Sequence, residues 1–167
     1  MADLISELEK RFSEIQKELK FKSALDDLDR VFHIKDFVLK EGYVSPYLSR
    51  IICYKITDTF ISWNNWLHSL VMPFPNNMIS MAESDQFSDN EKQEIIRLMS
   101  KITAFTSRNL SINLINDPEK EAEFIDDSLK LWHNTVKPEL IKLTKKLAAY
   151  WETQAKENPK KPNPMCL

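Results

Sequence analysis

The sequence predicts an all-α protein, an antiparallel bundle of four long helices with a proline-rich break after the second and a non-helical C-terminal tail. Three features carry that prediction: scarce glycine, apolar residues recurring every three or four positions, and helix-capping residues at the joints between segments. Gly42 is the one glycine among 167 residues. Hairpin turns and phosphate-cradling loops need glycine where φ is positive or where backbone approaches closely. The composition therefore argues against a β-sandwich or a nucleotide-binding α/β fold. A length of 167 residues with 43% hydrophobic content is enough for one domain with a sizeable core. The bundle domain is placed at 1–156 and the Pro/Lys-rich tail at 157–167.

The first element covers 3–40. Leu4, Leu8, Phe12, Ile15 and Leu19 share one face, and Leu25, Leu28 and Phe32 resume the pattern, so the segment reads as one helix or as two broken near 20–24. Asp3 is placed at its start as a cap. Lys40 falls in its last turn and Gly42 is positioned as a C-terminal cap. The second element starts at Ser45-Pro46, serine as N-cap and proline at the first helical position, and runs to about Val71. Over residues 42–82 the charged side chains are Arg50, Lys55 and Asp58. So little polar surface places this helix at the centre of the bundle, on a stripe of Leu48, Ile52, Ile56, Thr59, Trp63, Trp66 and Leu70 widened by Ile51, Phe60 and Leu67.

Pro73 and Pro75 end that helix, because proline lacks the N–H donor and forces the preceding residue out of α conformation. A short turn or helix follows to Ala82. Ser88 and Glu91 have capping-box spacing ahead of Ile95, Leu98, Ile102, Phe105 and Ile112, the third long helix. Asp117 as N-cap and Pro118 at the first position start the fourth, which carries Ile125, Leu129, Trp132, Val136, Leu140, Leu143 and Leu147 and is expected to kink at Pro138. From Glu157 onward, prolines and few apolar residues predict a non-helical tail.

The opening residues carry charge throughout their first turns and lack the order of a secretory signal, which predicts a cytoplasmic protein. The longest apolar stretch, 47–74, is interrupted by Arg50, Lys55 and Asp58, so no transmembrane segment is expected. Cys53 and Cys166 have no zinc-like spacing and do not make a disulfide framework. Residues 83–128 carry a net charge of −6 and residues 129–167 a net +5. If these segments are neighbouring antiparallel helices, their charges favour the pairing modestly, by about 0–1 kcal/mol per exposed pair.

No enzyme signature emerges, and no catalytic residue or cofactor is assigned. A bundle metal site uses Glu-x-x-His, but Arg30, Asn65 and Lys130 precede His33, His68 and His133 by three positions. A three-histidine site across separate elements is conceivable; histidines at helix surfaces or ends are the plainer account. The arginine–histidine spacing of bundle-type ribonucleases, His-Glu-x-x-His, phosphate loops and nucleophile elbows are absent. Cys53 sits in an apolar setting that suits an inert thiol.

Two binding features remain. Trp63, Trp66, Met72, Phe74 and Met78, with Met81, form the densest aromatic and soft-apolar cluster. Such residues suit either a core or a protein-binding patch at the bundle's end, with Phe74 turned outward by its flanking prolines. The N-terminal stripe can likewise be a dimerisation seam or an ordinary core face. Lys137, Lys142, Lys145, Lys146, Lys160 and Lys161 form a basic run able to bind phosphates, although lysines near a helix C-terminus also complement its dipole. The leading expectation is a non-enzymatic interaction protein that binds another protein or itself. The alternatives are an RNA- or ribosome-associated factor using the lysine-rich helix and tail, and a metal-dependent enzyme on a helical bundle.

The order Phe60, Trp63, Trp66, Leu67, Pro73, Met78 resembles an archaeal all-helical family of unknown function, in which a Phe-x-x-Trp-x-x-Trp-Leu stretch leads into a proline and a methionine-bearing turn. The resemblance implies an all-α archaeal cytosolic protein and assigns no catalytic residue.

Overall fold

The structure, a computed structural model, describes residues 2–157, and every regular element among them is helical. The helices are α1 (Ala2–Leu19), α2 (Leu25–Phe32), α3 (Ile34–Glu41), α4 (Leu48–Val71), α5 (Met78–Ser84), α6 (Asp89–Ile115), α7 (Pro118–Leu131) and α8 (Lys137–Glu157). A π-helical turn, Trp132–Val136, joins the last two. No helix among the described residues is long and apolar enough to cross a membrane.

Three of the expected caps form as read. Gly42 closes α3 at φ 78° with its N–H on the Val38 carbonyl. Ser88 and Glu91 make a reciprocal capping box for α6. Asp117 accepts from the Glu119 and Lys120 N–H groups ahead of α7. Each of the two N-caps, Ser88 and Asp117, is worth about 0.5–2 kcal/mol.

The N-terminal segment departs from expectation, forming three helices instead of one or two. The chain breaks at 20–24, as the pattern allows, and again at His33, which adopts φ 54°. Fully buried Phe32 and Ile34 stand two positions apart, so one straight helix cannot turn both inward. The left-handed residue between them re-aims the chain. Its N–H bonds to the Asp29 carbonyl, while the Asp29 side chain accepts from the Lys35 N–H at 2.7 Å. Two further readings are corrected. Asp3 lies inside the first turn of α1. Ser45 accepts from the Tyr47 N–H in a tight turn, and α4 begins later, at Leu48. The α8 helix also includes Glu157, the first residue assigned to the tail; the rest of that tail lies outside the described residues.

Helix α4 packs against α1, α2, α5, α6 and α7, the central place its composition implies. Leu48, Ile52, Ile56, Phe60, Leu67 and Leu70 are buried along it, each contributing about 1.5–3 kcal/mol by transfer from water. Phe60 is an aromatic junction, lying 5.9 Å from Phe32, 5.2 Å from Phe105 and 6.2 Å from Trp132 between ring centroids. Buried polar contacts add directional ties. The Glu121 carboxylate of α7 accepts from Ser49 at 2.6 Å and Arg50 at 3.2 Å, and the Asn109 amide of α6 donates to Thr57 at 2.9 Å.

Candidate functional site

The cluster read from Trp63 to Met78 separates into two parts. Trp63 and Trp66 are half-buried, edge-to-face at 5.7 Å, and packed on the core. Around and beyond the prolines, the apolar side chains turn outward: Met72 is 63% exposed, Phe74 61%, Met78 85% and Ile79 61%, with Met81 also exposed.

The backbone presenting them is firmly held. The Asn77 side chain caps α5 by accepting from the Ser80 N–H, and the Ser80 hydroxyl oxygen accepts from the Phe74 N–H. Buried Ser84 donates to the Leu70 carbonyl at 2.8 Å, tying α5 back to the end of α4. At its far end, Glu83 accepts from the Trp151 indole at 2.9 Å. The apolar surface is therefore preformed, and covering it requires little backbone ordering.

The lysines of α8 do not act as one stripe. Lys146 bonds Glu91 of α6 at 2.6 Å and lies over the Phe87 ring, while Lys142 pairs with Glu139. These acids neutralise both ammonium groups locally, and the Glu91–Lys146 pair joins the negative stretch to the positive one. Lys145 is exposed. Lys160 and Lys161 lie outside the described residues.

Lys137 has different surroundings. It lines a cleft of about 340 Å³ together with Arg30, Val31, His33, Thr59, Trp63, Trp132 and His133. The two indoles lie 6.4 Å apart between centroids, inclined at 43°. His33 and His133 thus share one cleft, and His68 is not part of it. No group of three or more histidine, cysteine, aspartate or glutamate side chains suited to a metal occurs among the described residues.

The sequence groups His33 and His133 with His68 as a conceivable site and Lys137 with the other lysines, but does not join Lys137 to the histidines. The overlooked signal is Pro138. Proline cannot donate to the carbonyl four residues back and presses on it. At this proline, where a kink is expected, the chain widens into the π turn, whose Lys137 N–H bonds to the Trp132 carbonyl. Cys53, fully buried, lies 3.8 Å from the Glu121 carbonyl oxygen, and burial pushes its thiol well above the ordinary range. It is not poised as a nucleophile. No family profile, curated protein or solved structure matches this chain.

Proposed function

We propose that this chain is a non-enzymatic helical interaction protein that buries Met72, Phe74, Met78, Ile79 and Met81 against another protein or against a second copy of itself. The observation that carries the reading is this run of large apolar side chains exposed on a hydrogen-bonded scaffold. Singly exposed apolar residues are ordinary, whereas a group within ten positions of chain is a candidate contact surface. Methionine suits it, since its flexible thioether adapts to varied partner shapes. Acidic Glu83 and Asp85 border the patch in sequence and favour a partner with a basic rim.

The same proposal takes the long helices as an antiparallel bundle in the cytoplasm, and the chain as a relative of the archaeal helical family that residues 60–78 resemble. Paired contacts support the bundle: Thr57 meets Asn109 while Asn64 meets Thr103, and Arg108 meets Asp127 while Glu91 meets Lys146. In each set, one partner's number rises as the other's falls.

The deciding experiment compares the native chain with a Met72→Ser, Phe74→Ser, Met78→Ser variant, both expressed in the source cells and examined by native mass spectrometry. A stoichiometric protein partner or homodimer on the native chain, lost from an equally helical variant, supports the proposal. A bare monomer, or binding that survives all three substitutions, overturns it.

A further inference from the structure

The cleft between the α2–α3 break and the π turn differs chemically from three other clefts among the described residues. The groove along α6 and α8 includes Glu91, Glu94 and Glu139 beside its lysines; the one near Pro46 includes Glu7 and Glu14; the one near Phe21 includes Glu18, Glu119, Glu123 and Asp126. The lining formed by Arg30, His33, His133 and Lys137 contains no acid. In a chain of net charge −2, that is a local concentration of positive and proton-donating groups. Two acids stand just outside: Asp27 is 3.6 Å from Arg30, and Asp36 is 3.5 Å from His33 Nδ1. Both are exposed pairs within one turn, of the weak kind that yields readily to a stronger anion.

Beside these groups lie Trp63 and Trp132, half-buried and inclined to one another. Thr59 already donates its hydroxyl proton to the Lys55 carbonyl at 2.9 Å, which leaves its oxygen as an acceptor toward the cleft. Cationic groups recognise phosphate oxygens, and an indole face takes a planar ring.

Two backbone irregularities converge here. His33 holds a positive φ, a conformation that strains a non-glycine residue. Trp132 and His133 sit in the π turn, a rare arrangement that recurs at functional sites. Each irregularity sets one histidine of the same cleft, so two local departures from regular helix serve a single place.

We infer that this cleft binds a small phosphate monoester carrying a planar ring, of the mononucleotide class. The ring lies on the Trp63–Trp132 wall and the phosphate is held by Arg30, His133 and Lys137, with His33 at its edge. The inference is independent of the apolar patch, and its volume falls within the range of small-molecule sites.

The test is calorimetric titration of the full chain with adenosine monophosphate, adenosine and inorganic phosphate, paired with tryptophan fluorescence in a Trp151→Phe background. Expected is saturable, one-to-one binding of the monophosphate, at least about tenfold tighter than either fragment, with quenching of the remaining indoles. Arg30→Ala, His133→Ala and Lys137→Ala, all at exposed positions, are each expected to weaken it by roughly tenfold, the usual range for a hydrogen bond to a charged group. Lys145→Ala, outside the cleft, leaves it unchanged. Absence of saturable binding, equal binding of phosphate or adenosine alone, or insensitivity to all three substitutions overturns the assignment.

Discussion

The Asp126 carboxylate accepts from the Ser23 backbone N–H at 2.8 Å and from the Ser23 hydroxyl at 2.7 Å, and the same group accepts from the Lys22 N–H at 2.9 Å. One acid on α7 thereby satisfies the N–H groups that the break between α1 and α2 leaves without helical partners. Those donors need a replacement acceptor, because α2 starts at Leu25 and its N-cap residue, Ala24, supplies no side-chain cap. Asp126→Ala is expected to destabilise the fold by about 1–3 kcal/mol, the cost of stranding partly buried donors. Asp126→Asn, which keeps an oxygen, costs less. Urea unfolding followed by circular dichroism checks this, with exposed Glu123→Ala as the control expected to stay within about 0.5 kcal/mol.

Arg50 and Glu121 make an unequal pair, since the Glu121 side chain is 4% exposed and that of Arg50 41%. Removing the arginine leaves a buried carboxylate with Ser49 as its remaining side-chain donor, whereas removing the acid leaves an arginine able to turn to water. Arg50→Ala is therefore expected to cost about 3 kcal/mol, and Glu121→Gln about 1–2 kcal/mol. A double-mutant cycle by chemical denaturation reads the coupling. Equal single effects that simply add would contradict the asymmetry.

These two acids mark the limit of what the sequence conveys. Ser88, Asp117 and Gly42 cap helices a few positions away, and their roles were legible because both partners sit within one short window. The central place of α4 was legible too, because it carries few charges. Asp126 and Glu121 look like ordinary acids in a negative stretch; their partners are on helices brought close only by folding. His33 was missed because the apolar spacing continues across it, although Phe32 and Ile34 cannot share one helical face. The cleft of Arg30, His133 and Lys137 was illegible for both reasons, being assembled from separate helices at two breaks in regularity. For the Trp–Met–Phe cluster, the sequence leaves core and surface open; the tryptophans pack within α4, and the methionines and Phe74 from the end of α4 onward are exposed.

Cys53 provides a test of core rigidity. Its thiol is fully buried on α4 and burial holds it protonated, so a thiol reagent reaches it when the bundle opens. In a Cys166→Ser background, native protein is expected to react with a disulfide reagent at a rate set by unfolding, many times slower than in denaturant. Asp126→Ala is expected to accelerate it in proportion to the lost stability. Rapid labelling of the native protein would show that α4 is accessible.

The clearest pH dependence belongs to Glu91. The Lys146 ammonium at 2.6 Å, followed by the Ser88 N–H and hydroxyl, holds its carboxyl down at about 2, against an ordinary value of 4.5. A carboxyl depressed in the folded state contributes stability above its unfolded value, and that contribution is lost as pH falls from about 4.5 toward 2. Because the Glu91 side chain is 37% exposed, water screens the pair, and the contribution of ion pair and cap together is expected to be about 1 kcal/mol. Glu91→Gln, whose amide oxygen still accepts from Ser88, should remove the ion-pair part of that amount near neutral pH and flatten the fall in stability across the acid window. High salt should reduce the native–variant difference by weakening the Lys146 contact, while the Ser88 capping bond persists. Thermal unfolding across that window, at low and high salt, separates the two contributions. An acid limb unchanged in Glu91→Gln would mean that the carboxyl ionises in the folded protein as it does in the unfolded chain.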